Sequence, residues 1–125
     1  MSRRSFLAWS WTMVILALCW TPRVLLPVRE SGPRPLVIPH LDKAVHFGIF
    51  AVFAFLWMRV GTRPDRTGRV AAAGLLLALV SELGQLMPFV GRDASLADGL
   101  ADSIGVALGI VAYRLSQRRV GDRPA

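Results

Sequence analysis

The 125-residue chain has one cysteine, one lysine, one tyrosine and two histidines, and 15 lysines and arginines outnumber its 8 acidic residues. Each scarcity excludes something. Cys19 has no partner for an intrachain disulfide; lying inside an apolar run, it reads as a small packed hydrophobe that says little about redox compartment. A metal held by His46, Glu82, Asp98 and Asp102 is conceivable, but no tight ligand spacing stands behind it, and no cofactor is expected. Glycine signatures of dinucleotide or phosphate-loop binding are missing. No Ser or Cys is set with a His and an acid in a nucleophilic motif. The pI of 11.4 would suggest nucleic acid, but that partner needs basic clusters interleaved with aromatics, and here the arginines stand at the ends of apolar runs.

What the chain does have is apolar length. Hydrophobic residues make up 54% of it, against roughly 45–50% in soluble proteins, and they fall into stretches at 6–20, 44–58, 70–87 and 96–115 with most charges between them. Crossing a bilayer takes about 20 residues at about 1.5 Å each, so four crossings and short loops fill the chain. The expected fold is all-α: a polytopic membrane protein with four transmembrane helices in a compact bundle. It forms a single domain over 1–125, with spans near 6–22, 43–59, 70–87 and 96–115 and a frayed cytoplasmic tail over 117–125.

Arg3 and Arg4 before the first run resemble a twin-arginine export signal, and Leu16–Cys19 faintly resembles a lipoprotein box. No A-x-A site follows the run, and Leu18 is larger than such a box wants, so the segment is expected to stay as a span. With the N-terminus inside, the inner side holds Arg3, Arg4, Arg59, Arg63, Arg66, Arg69, Arg114, Arg118, Arg119 and Arg123. The outer side receives Arg23, Arg29, Arg34, Lys43 and Arg92. This bias places both termini in the cytoplasm. Most acids, namely Glu30, Asp42, Glu82, Asp93, Asp98 and Asp102, fall at or near the outer face. The first outer loop carries Pro22, Pro27, Pro33, Pro35 and Pro39, which oppose a regular helix. The arginines of the short inner loop can meet anionic headgroups.

Three of the four runs carry polar side chains in their outer portions. Asp42 and His46 are four apart and share a helix face, with Lys43 beside them. Glu82 and Gln85 are three apart on another run. Asp98 and Asp102 open the last run, after Arg92 and Ser95. Carboxylates inside a bilayer are costly and face a bundle interior or wet cavity, so these residues can converge on one pocket. Plainer readings stand beside this one. Asp42 fits an N-cap, Ser95 with Asp98 fits a capping box, and Arg92 can snorkel to lipid phosphate. His46, Glu82 and Gln85 can serve as hydrogen-bond glue between helices. Asp102 lies a turn deeper than any cap requires. Ala97, Ala101, Gly105 and Gly109 form a small-residue stripe expected to press the last helix against a neighbour, and Gly74, Ala78, Ser81 and Gln85 form a comparable seam. Phe47, Phe50, Phe53 and Phe55 read as lipid-facing or core filler.

The pattern D-K-x-x-H-F over Asp42–Phe47, then Glu82, Gln85, Arg92, Ser95, Asp98, Gly105 and Gly109, resembles the VanZ-like family of small bacterial membrane proteins across residues 40–110. Asp102 departs from that pattern, which more often has Asn, and makes the site more acidic. The resemblance implies a bacterial inner-membrane protein and a link, through a named member, to teicoplanin resistance; it supplies no reaction. The residues leave three functions open. The first is recognition of a lipid headgroup or cell-envelope precursor, with Lys43 and Arg92 on an anion and Asp42, Gln85, Ser95 and Asp102 completing the site. The second is an enzyme acting on a lipid-linked substrate, with His46, Glu82 and Asp98 as its catalytic groups. The third is a small proton-coupled carrier or assembly partner. A membrane lipid or lipid-linked precursor is the expected partner, and a homo-oligomer is admitted.

Overall fold

The computed structural model describes residues 1–22, 41–90 and 95–121, apart from the side chains of 41, 42 and 121. The described residues form four helices and no strand: α1 (Arg3–Cys19), α2 (Leu41–Met58), α3 (Arg66–Gln85) and α4 (Leu96–Gly121). Ser2 caps α1, its hydroxyl accepting the Ser5 N–H at 3.1 Å. α1 stops at Cys19, short of the expected 22, ahead of Pro22. α3 begins four residues before its apolar run, just after Pro64 and Asp65. α4 runs through Gly121 where a frayed tail was expected; residues 115–120 contain no breaker, and Arg118 and Arg119 complement the helix C-terminus.

α4 packs most extensively on α2, and the two run parallel in register. Phe47 lies beside Gly105, Ala51 beside Gly109, and the Phe55 ring stands edge-on to Tyr113 at 6.0 Å. The reason is the small-residue stripe. A Cβ on Gly105 would collide with the Phe47 carbonyl oxygen, and one on Gly109 with that of Ala51, so the backbones meet with nothing between them. α3 runs antiparallel to both. A Cβ on Gly74 would come within 2.6 Å of Val106, and Arg114 Nη2 donates to Thr67 Oγ1 at 2.9 Å. α1 is tied to α2 by indoles: Trp11 Nε1 donates to the Ile49 carbonyl at 2.9 Å and Trp57 Nε1 to Thr12 Oγ1 at 3.1 Å. One core, including Ile15, Phe50, Phe53, Met58, Leu77, Val106 and Ile110, joins all four helices. Phe50 and Phe53 are therefore core filler, while Phe47 and Phe55 are half-buried.

Elsewhere the surface is inverted. Phe6, Trp9, Met13, Leu75, Leu76, Leu79, Leu83, Leu100, Ile104, Leu108 and Leu115 point outward, whereas His46, Ser81, Gln85, Asp98 and Asp102 are buried. Apolar surface on this scale is foreign to a water-soluble monomer, and helices apolar all round suit lipid. α3 and the Leu96–Val120 part of α4 are long and apolar enough to cross a membrane; Lys43–Met58 is apolar but shorter.

Candidate functional site

The register of α2 and α4 builds the site. One turn toward the chain start from Gly105 lies Asp102, and one residue before Phe47 lies His46. Because the backbones touch at Gly105, two short side chains can meet: His46 Nδ1 and Asp102 Oδ1 are 3.0 Å apart. Asp102 is fully buried and His46 nearly so. With Asp102 ionised, Nδ1–H is the donor and the carboxylate the acceptor, which orients the ring and leaves Nε2 as its second polar nitrogen. One turn nearer the same end, Lys43 Nζ stands 3.5 Å from Asp98 Oδ1, with the lysine side chain about one-third exposed and the aspartate buried.

α3 reaches this end from the opposite direction. Glu82 Oε2 accepts the backbone N–H of Ser95 at 2.9 Å. In a capping box, Asp98 would have taken that N–H; here the acceptor comes from a neighbouring helix, and Asp98 turns toward Lys43. Ser95 directly precedes α4, and its carbonyl accepts the N–H groups of Asp98 and Gly99 at 2.9 and 3.1 Å. Glu82 lies three residues from the end of α3, nearer the rim than a helix running to Met87 would put it. Trp20 closes over this end of α3: its indole occupies the space a Cβ on Gly84 would need.

His46, Glu82, Asp98 and Asp102 all lie within electrostatic reach of one another. On the residues expected at the site, four buried polar atoms have no hydrogen-bond partner among the described residues: Glu82 Oε1, Gln85 Nε2, Asp98 Oδ1, which has the 3.5 Å contact with Lys43, and Asp102 Oδ2. Three acceptors and one donor left open at one end form a site rich in acceptors. Among the described residues, no three of His, Cys, Asp and Glu are arranged to hold a metal ion.

Of the expected site residues, His46, Glu82, Asp98, Lys43, Ser95 and Asp102 come together, and Gln85 is buried three residues beyond Glu82 at the end of α3. Arg92 and the side chain of Asp42 lie outside the described residues. Sequence spacing set His46 beside Asp42 on one helix; the contact across helices with Asp102 had no local signal, since it depends on the α2–α4 register. The Glu82 bond to Ser95 was hidden for the same reason.

Buried ionisable groups between helices whose outward faces are apolar, two of those helices being long and apolar enough to cross a membrane, are features of a helical membrane protein with a polar interior cluster. The chain belongs to the VanZ/LLP1 family, whose sequence model matches residues 3–117. No curated protein and no solved structure matches it.

Proposed function

We propose that the chain is a four-span protein of the bacterial inner membrane with both termini in the cytoplasm, and that its polar pocket on the outer face recognises a lipid headgroup or cell-envelope precursor. The alternating directions of the four helices support a bundle in which each helix recrosses the same layer. The observation that carries the reading is the set of buried atoms without a hydrogen bond among the described residues, Glu82 Oε1, Asp102 Oδ2 and Gln85 Nε2, beside an Asp98 Oδ1 held only by its 3.5 Å contact with Lys43. Leaving such groups unmade costs about 1–3 kcal/mol each, a cost that a ligand offering hydroxyl or ammonium donors repays. Lys43 at the rim adds a cation for a phosphate or carboxylate on the same amphiphile. The link of a named family member to teicoplanin resistance makes envelope precursors the first ligand class to test.

A second reading rests on one contact. A carboxylate on Nδ1 of a buried histidine is the arrangement that orients an imidazole base, so an enzyme acting on a lipid-linked substrate has His46 as its base and Asp102 as its positioning partner. The carrier reading needs a relay of acids across the bilayer. Glu82, Asp98 and Asp102 sit together at one end, with Asp65 exposed at the other and none between them among the described residues, which favours recognition.

The test is substitution of Glu82→Gln, His46→Ala and Arg92→Ala, with membrane insertion checked and the co-purified lipids identified by mass spectrometry. Loss of one headgroup class in all three supports recognition. Accumulation of an unprocessed lipid precursor in cells supports the enzyme instead. Unchanged lipids with loss of folding in every variant reduce the cluster to structural glue.

A further inference from the structure

The end of the bundle away from the carboxylates has its own cavities. One, of about 360 Å³, opens at the α2–α3 connection beside Gly61, with Arg63, Arg66 and Arg69 at its mouth and Val70 and Ala73 on its floor. A second, also about 360 Å³, lies between α1, α2 and α3 and is lined almost wholly by apolar groups, Leu16, Phe53, Leu76 and Val80 among them. Trp57 and Ala73 line both, so the two cavities adjoin along α3, one edged by arginines and the other apolar, and are taken together as a groove with a mouth and a shaft. Along α3 it extends from Arg66 to Val80, about 21 Å of helix rise. That exceeds half of a hydrocarbon core roughly 30 Å thick.

The mouth has a cation surplus. Arg69 is paired with Asp65 on its own helix. Arg63 pairs with no acid among the described residues and is exposed. Arg66 is held in place: it donates to the Gly61 carbonyl and its guanidinium lies over the Tyr113 ring, 5.1 Å from the centroid. Its Nε is buried and has no partner. Gly61 adopts φ +75°, a left-handed conformation that glycine takes at little cost, and so presents its carbonyl to Arg66. The result is a guanidinium held in place, a second, exposed one near it in sequence, and apolar cavities alongside.

We infer that this groove is a binding site for one anionic phospholipid, its phosphate on Arg63 and Arg66 and one acyl chain lying between α1 and α3 over Ala73. Planar guanidinium groups match phosphate oxygens. The shaft gains little over bulk lipid, because both are apolar; selectivity comes from the head and position from the tail. The inference rests on membrane insertion of the helices and not on the ligand of the acidic end, which is at the other end of the bundle.

The full chain is reconstituted in nanodiscs of phosphatidylglycerol and phosphatidylcholine in equal amounts, extracted gently, and its retained lipids counted by mass spectrometry. The wild type is expected to keep about one phosphatidylglycerol per chain, preferred about tenfold over phosphatidylcholine, as two arginines near a headgroup warrant. Arg63→Gln with Arg66→Gln removes the preference. Arg63→Gln alone, on an exposed side chain that holds no structure, reduces it. Ala73→Phe keeps every charge, fills the shaft from an exposed position, and lowers retention as well. Equal retention of both lipids by the wild type, or an unchanged preference in the arginine variants, overturns the site. Full retention in Ala73→Phe overturns the seated tail, and displacement of the lipid by millimolar inorganic phosphate shows a site for free anions instead.

Discussion

The two ends of the helical bundle carry opposite charge in opposite settings. At one end Asp98, Asp102 and His46 are buried between helices, and Glu82 reaches across from α3 to the backbone of Ser95. At the other, Arg3, Arg4, Arg59, Arg63, Arg69, Arg114, Arg118 and Arg119 are exposed, with Arg66, stacked on Tyr113, set deeper. Cations are more numerous, yet a charge in water beside lipid headgroups costs little, whereas one between apolar helices needs a partner or a purpose. Burial, not the count of charges, is what distinguishes the two ends.

Four substitutions break or sharpen that contrast. The largest effect belongs to Gly105→Ala, because the added Cβ meets the Phe47 backbone and cannot be relieved by turning a side chain; it is expected to cost about 2–3 kcal/mol in denaturant titration in detergent and to part His46 from Asp102. Asp102→Ala comes next, at about 2 kcal/mol. This lies between the roughly 0.6 kcal/mol average for a hydrogen bond joining membrane helices and the roughly 3 kcal/mol lost when a buried ion pair is broken. Lys43→Gln touches a longer pair with a part-exposed lysine, and less than about 1 kcal/mol is expected from the same titration. Arg118→Gln, at the exposed end of α4, should stay within about 0.5 kcal/mol. If Arg118→Gln destabilised as much as Asp102→Ala, the contrast between the ends would fail.

Much of this was legible in the sequence, for identifiable reasons. Apolar runs between charges gave the four helices, and glycines and alanines at spacings of four marked α4 as a close-packing helix. The residues of the acidic end could be named because an ionisable group in an apolar run stands out. What could not be read was which helix α4 packs on and in what register, and the site's two closest polar contacts, His46 to Asp102 and Glu82 to Ser95, depend on that. Helix ends also shifted, since α3 starts before its apolar run and stops short of the run's end, and α4 continues past its own through residues that need only a lack of breakers. The stacking of Arg66 on Tyr113 left no trace in local sequence.

Glu82→Gln is the sharpest probe of the central claim, because the amide oxygen can still accept the Ser95 N–H while the charge and the open acceptor are altered. The decisive measurement is the mass-spectrometric inventory of amphiphiles that co-purify with the wild type and with this variant, taken with the stability of each. One polar headgroup class reduced about tenfold at unchanged stability is expected, the effect of losing a hydrogen bond to a charged group. An identical inventory in both proteins, or a loss of lipid only in step with a loss of folding, would contradict a ligand site at the acidic end.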